Sequence, residues 1–204
     1  MKSKSKVGIL CIISGVLLIL GAVTLAWWNQ REDNAAMKAA AQIMQQIQGS
    51  IDVNTESELE LQKPLELLTE EEKKMKEVEI DGNLYIGYVS IPALNIELPV
   101  MSSWSYEQLR ISPCRYSGSL RGEDLVLMAH NYKSHFGTID KLEIGDNVFF
   151  TDMDGKTTAY AVVGTDILNP SAVETITAGE YDLTLFTCTY GGSNRATVYC
   201  DFVK

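Results

Sequence analysis

Leu183-Thr184-Leu185-Phe186-Thr187-Cys188-Thr189-Tyr190-Gly191-Gly192-Ser193-Asn194-Arg195-Ala196-Thr197-Val198-Tyr199-Cys200-Asp201-Phe202-Val203 reads as a strand, a turn and a second strand. The flanks, Leu183 to Thr187 and Ala196 to Val203, are rich in β-branched and aromatic residues, which suit a pleated, half-buried surface. The Gly-Gly pair between them supplies the backbone freedom of a tight hairpin. Cys188 therefore sits where a strand gives way to a loop, and Arg195 opens the next strand seven residues later. A thiol in such a place is positioned but reachable. A guanidinium returned beside it can stabilise a thiolate or an oxyanion.

Working outward, the same grammar of short Val, Ile, Tyr, Phe and Thr runs broken by Gly, Pro, Asn and Asp extends back to Leu84. The other expected strands are Leu84 to Ser90, Ile96 to Met101, Leu125 to Ala129, Asn147 to Thr151 and Thr157 to Leu168. Seven short strands point to an all-β barrel or sandwich. Short helical turns are expected at Tyr106 to Ile111, at Thr138 to Leu142 and after Asn169-Pro170. None is long enough to organise the fold, so one β domain is expected over residues 79–204.

Ahead of it the composition changes twice. Val7 to Trp28 contains no charged residue, and about 22 residues rise about 33 Å as a helix, enough to span a bilayer. Lys2, Lys4 and Lys6 precede this run and Trp27-Trp28 close it, which places the basic end inside and an aromatic anchor at the far interface. Residues 1–6 are thus expected in the cytoplasm, 7–28 in the membrane and the remainder outside the cell. A cleaved signal peptide is disfavoured by the length of the apolar run and because Trp27-Trp28-Asn29-Gln30 makes a poor small-residue cleavage site. Residues 29–78 read as an extracytoplasmic stalk: 35–48 favours helix by propensity, and the acidic Asp52 to Glu72 stretch reads as a solvated spacer.

The chain has 204 residues, room for about one folded domain after the apolar and polar leaders. Its formal charge of −10 opposes a nucleic-acid partner, whose affinity rests on neutralising phosphates. Cys11 lies in the apolar run, which leaves Cys114, Cys188 and Cys200 in the body, without metal-ligand spacing. Cys114 and Cys200 are either a disulfide or, the favoured reading, two separate buried thiols. No cofactor is implied. Glu123, Asp124, Asp140, Glu143 and Asp146 fall in loops where calcium can bind, but solvated surface charge is the better reading.

The apolar strand Leu125 to Ala129 delivers His130-Asn131 at its end, ahead of Tyr132-Lys133-Ser134-His135. A histidine near a thiol supplies a proton carrier whose ordinary pKa is close to the working pH. Taken alone, however, Cys is most often a small core hydrophobe, so the residues by themselves leave catalytic and structural roles open.

Four segments taken together narrow the choice. Thr184-Leu185-Phe186-Thr187-Cys188, followed by Arg195, resembles the TLxTC signature of the sortases, the transpeptidases that attach proteins to the cell wall or build pili in Gram-positive bacteria. Ile86-Gly87-Tyr88-Val89-Ser90-Ile91-Pro92 with Leu98-Pro99-Val100 is similar to that family's opening strands, and Ser112 to Ser119 to its Pro-Gly-His-Tyr-like segment. Ala129-His130-Asn131 resembles its Gly-His-Asn or Gly-His-Arg motif, with Ala129 in place of the usual Gly. The loop from Cys188 to Arg195 is shorter than in many relatives, and the subclass, B-like or D-like, stays open. The resemblance covers about Leu84 to Val203.

The resemblance implies a closed β-barrel of about seven to eight strands with short helices, behind a transmembrane helix and a helical or flexible stalk. It implies Cys188 as nucleophile, His130 rather than His135 as acid and base, and Arg195 as electrostatic partner. Thr187, Asn131 and Tyr190 are candidate substrate-binding residues. The implied substrate is a surface protein carrying an LPxTG-like sorting signal, cleaved between Thr and Gly through a thioester. The implied acceptor is an amine of a lipid-linked peptidoglycan precursor or of a pilin. Two rivals remain: a membrane-anchored cysteine protease, in which water replaces the amine, and a non-catalytic wall-binding β-domain in which Cys188 is structural.

Overall fold

The computed structural model describes residues 3–52 and 74–203. Helix α1 runs from Ser3 to Asp52 through a sequence with no proline and many good helix formers. Two compact units are present, residues 1–35 and 36–204, and each is taken by itself. In the first, the large apolar side chains from Ile9 to Trp28 are exposed. An 18-residue window of α1 has a mean hydropathy of 2.7, and the helix is long and apolar enough to cross a membrane. At its polar end the Trp28 indole donates to Glu32 at 3.1 Å, and the Arg31 guanidinium lies 4.9 Å over the Trp27 ring.

The second unit is built on nine strands: β1 (Val78–Ile80), β2 (Asn83–Ile91), β3 (Ile96–Met101), β4 (Cys114–Ser117), β5 (Leu125–Ala129), β6 (Asn147–Asp152), β7 (Thr157–Leu168), β8 (Leu183–Cys188) and β9 (Arg195–Phe202). They are hydrogen-bonded in the order β1-β2-β3-β4-β5-β8-β9-β7-β6, and β6 also pairs with β2. The eight strands from β2 to β9 thus form a closed barrel, and β1 is added at the start of β2. Closure removes the exposed edges that would otherwise recruit other chains. A barrel of this size has an interior that side chains can fill. Here Val89, Leu98, Val100, Leu125, Leu127, Val148, Phe150, Tyr160, Val162, Leu183, Leu185 and Val198 fill it.

The seven expected strands are all present, within a residue or two at each end. Two were not expected, β1 with three residues and β4 with four. Both are too short to show a period, and β4 joins β3 through a single pair, Met101 with Cys114. The expected helical turns appear as α2 (Tyr106–Leu109), capped by a Ser105 hydroxyl that accepts from the Gln108 N–H at 3.1 Å, as a single 3₁₀ turn at Ile139–Lys141, and as α3 (Val173–Ile176).

The closing seam is tightest at Gly87, where β2 turns from β1 to pair with Asp152 of β6. Its φ of +144° disfavours any side chain, and a Cβ there would lie 2.0 Å from the Thr151 carbonyl oxygen. Gly87→Ala is expected to lower unfolding stability by roughly 3 kcal/mol or more, through backbone strain and overpacking together. Chemical denaturation monitored by Trp fluorescence checks this.

The stalk expected over 29–78 is corrected in its first part. Ala36, Ala40, Ile43, Met44 and Ile47 are buried, and their spacing makes one stripe along a helix. Ala40 joins the main core, while Ile43 and Ile47 pack with Ile80, Tyr85, Met101, Leu109, Cys114 and Met153. Residues 36–51 therefore belong to the body, and a domain boundary at 79 falls inside the folded unit. The acidic spacer lies, beyond Asp52, outside the described residues.

Candidate active site

The site is built where β5 and β8 end side by side. They pair in parallel from Leu125 with Leu183 to Ala129 with Thr187, a register that places His130 level with Cys188 one residue further on. Neighbouring strands lie about 4.8 Å apart, so the two side chains leave adjacent strand ends. One tie below and one above bracket the pair. The Thr187 hydroxyl donates to the Ala129 carbonyl at 2.9 Å, and the Asn131 amide donates to the Thr189 carbonyl at 3.4 Å. On the other side of β8, Cys188 pairs with Arg195 of β9.

Strand alternation decides which way these groups face. Leu125, Leu127 and Ala129 of β5, Leu183 and Leu185 of β8, and Ala196 and Val198 of β9 point into the barrel. The alternate residues point out, and Cys188, His130 and Arg195 are in that alternate set. All three share the outer face with Val126 and Phe186, which form a third apolar cluster with Ile176 of α3. Tyr116, Met128 and Leu168 pack against it. Tyr116 stands edge-on to Phe186 at 5.2 Å, and Trp104 stacks on Tyr116 at 5.7 Å. An apolar, aromatic strip thus starts two residues from the sulfur.

His130 is half-buried and held from two directions. Its Nδ1 lies 2.9 Å from the Asn131 side-chain oxygen, and its ring stacks on Tyr132 with centroids 4.0 Å apart and 5° between planes. Tyr132 in turn meets His135, 5.4 Å away at 57°. His135 is fully buried, while His130 is the histidine level with the thiol. Arg195 is steadied by its own hairpin: one guanidinium nitrogen donates to the Gly192 and Asn194 carbonyls at 3.2 and 3.0 Å. Gly191 and Gly192 both have positive φ, 82° and 76°, which lets so short a turn bring Arg195 back beside Cys188.

The remaining candidates separate. Thr187 is buried with its hydroxyl spent on Ala129. Asn131 joins His130 to the loop after Cys188, and Tyr190 is 95% exposed at the hairpin tip. A cleft of about 160 Å³ beside Cys188 is lined by Asn131, Gly137, Asp140, Ile167, Thr189 and Tyr190 among others. Cys114 and Cys200 are separate, free and buried, and burial pushes both thiols up to about 12. Of the loop acids, Asp124 and Asp146 accept backbone N–H bonds from Ser119 and Glu143, each at 2.9 Å.

A family model described as the sortase domain matches residues 89–203. The chain belongs to the sortase family. Sortase A from Bacillus anthracis is 29% identical over 115 residues, which make up 53% of this sortase and 54% of that protein. The chain therefore spans about half the length of that curated relative. Among solved structures, Clostridium perfringens sortase C with the C-terminal cell wall sorting motif is 28% identical, covering 59% of this chain and 71% of that one, at a TM-score of 0.53. Sortase C1 from Streptococcus agalactiae is 28% identical, with 68% and 78% covered and a TM-score of 0.55. Sortase A from Corynebacterium diphtheriae shares the fold at 22% identity, with 60% and 62% covered and a TM-score of 0.55. The closed eight-strand barrel is the architecture of this family.

Proposed function

We propose that this sortase is a cysteine transpeptidase that cleaves an LPxTG-like sorting signal and passes the acyl group to an amine. The observation that carries the reading is the placement of His130, Cys188 and Arg195 at the ends of three neighbouring strands, facing the same way, at the head of an apolar strip. The strip seats the apolar part of an extended peptide and brings the following Thr carbonyl to Cys188. The Cys188 sulfur attacks that carbonyl, the Thr–Gly bond breaks, and His130 gives a proton to the leaving amine. An acceptor amine then attacks the thioester, His130 takes its proton, and the sulfur leaves. Arg195 stabilises the oxyanion formed in each half-reaction.

The proposed location, the outer face of a membrane, is supported by α1. Its apolar side chains from Ile9 to Trp28 are uncovered by protein, and lipid is the solvent that suits them. A single span with the barrel on the outer side places the enzyme where a membrane-held substrate and a lipid-linked acceptor, from the wall precursor or a pilin, would meet.

The test is a library of quenched LPxTG-type peptides, incubated with and without glycine-based and lysine-based amines and read by mass. Amine-linked product that depends on Cys188 is expected. Product consisting only of free acid would make the protein a protease, and no cleavage with an unreactive Cys188 would make it a binding domain. Arg195→Ala is expected to lower kcat by roughly 10²- to 10³-fold, the loss typical of one oxyanion donor. Arg195→Lys restores little of it, because a compact ammonium does not reproduce the planar donor geometry of a guanidinium.

A further inference from the structure

Asn131 does more than lie beside the catalytic pair. Its Nδ2 donates to the carbonyl of Thr189, the residue after the nucleophile, and only the NH₂ end of an amide can make that bond. This turns Oδ1 toward His130, where it lies 2.9 Å from Nδ1. A carbonyl oxygen has no hydrogen to give, so the proton between the two atoms resides on Nδ1. In the neutral ring the lone pair then belongs to Nε2. Tyr132 covers one face of the imidazole, which restrains rotation about the remaining side-chain torsion. The titratable or charged groups around the pair include Cys188 and Arg195 on the neighbouring strands, Lys133 and His135 on the histidine's own loop, and Asp140 and Tyr190 in the cleft beside Cys188.

We propose that Asn131 is a positioning residue: it ties His130 to the nucleophile loop and fixes the Nδ1–H tautomer, so that Nε2 alone carries protons in the reaction. This deepens the transpeptidase reading and rests on it for its kinetic consequence. Nε2 takes the thiol proton as the sulfur becomes the nucleophile. As the S–C bond forms and the C–N bond breaks, Nε2–H passes its proton to the leaving nitrogen. In the second half Nε2 takes a proton from the attacking amine as the C–S bond breaks, and Nδ1 keeps its hydrogen throughout. The assignment replaces a direct substrate contact for Asn131, since both ends of its amide are engaged within the protein.

The chain has two histidines, so the ring nitrogens are readable by NMR. The full chain, labelled with ¹⁵N-histidine in detergent micelles, is observed in a Cys188→Ala background under mildly alkaline conditions in which imidazole is neutral. His130→Gln assigns the peaks. His130 is expected as the Nδ1–H tautomer. Asn131→Ala is expected to move it largely to Nε2–H, and Asn131→Asp, which keeps an acceptor oxygen, to retain Nδ1–H. In the chain with Cys188 intact, Asn131→Ala should lower kcat by roughly 10²-fold with KM for the peptide changed by less than about threefold, and Asn131→Asp should recover most of the loss. An Nε2–H tautomer in the chain that retains Asn131, or an Asn131→Ala protein that keeps both Nδ1–H and full kcat, overturns the proposal. If Asn131→Ala does not fold, the spectra of the chain that retains Asn131 and of the Asn131→Asp chain still decide it. Absence of transpeptidation beside the expected tautomer would sink the functional reading and leave the positioning role standing.

Discussion

Replacing Cys188 with alanine removes peptide turnover by roughly 10⁴-fold or more, as loss of a nucleophile does elsewhere, while leaving barrel stability nearly unchanged. The two effects separate because the side chain is half-exposed at a strand end and is not among the residues of the three buried clusters. The buried cysteines reverse the pattern. Cys114 and Cys200 sit in the cores, so alanine there costs about 1 to 2 kcal/mol of stability and spares turnover per folded molecule. Alkylation separates them without any substrate. Burial pushes both of those thiols up to about 12, so in a Cys11→Ala background iodoacetamide is expected to add once, at Cys188, until the barrel is unfolded. Peptide mapping reads the site, and labelling of Cys114 or Cys200 in the folded protein at neutral pH would contradict the packing described.

A chain beginning near Glu79 is expected to fold poorly, whereas one beginning at Ala36 is expected to fold. The shorter chain loses the buried side chains of Ile43, Met44 and Ile47. Burial of each is worth about 2 kcal/mol, and their sum is comparable to the whole stability of a small domain. It also bares Tyr85, Met101 and Met153 on the barrel's outer surface, an apolar patch of the kind that drives association. Thermal unfolding by circular dichroism, dye binding and size-exclusion chromatography of the two chains check this. Equal melting temperatures and monomeric behaviour would show that the helix is dispensable.

Strands such as Leu125–Ala129 and Thr157–Leu168 are legible in the sequence because apolar and β-branched residues accumulate between turn formers. Cys188 and His130 stand out because each caps such a strand, and a signature around them points to a family. The cover formed by Ala36, Ala40, Ile43, Met44 and Ile47 is also present in the letters, but its alanines and glutamines read as propensity for a helix, and propensity does not tell what a helix touches. The contact between Asn131 and Thr189 is beyond reach for a different reason. It joins residues 58 apart, and only the parallel register of two strands brings them level. The same register separates His130 from His135, which the sequence alone places five residues apart on one loop.

That register also sets when the site comes into being. Cys188 and His130 stand at the ends of strands that are distant along the chain, and the guanidinium arrives with β9, which is wedged between β7 and β8. No local segment holds even two of the three groups in place, apart from the Cys188–Arg195 hairpin itself. Contacts that close long loops are entropically costly and form late. The newly made chain therefore carries its thiol without a matched proton carrier until β5 and β8 have paired, and without the guanidinium until β9 has entered the barrel. Reactivity is in this sense a late product of folding: a thiol without its partner groups stays chemically quiet until the architecture around it is complete.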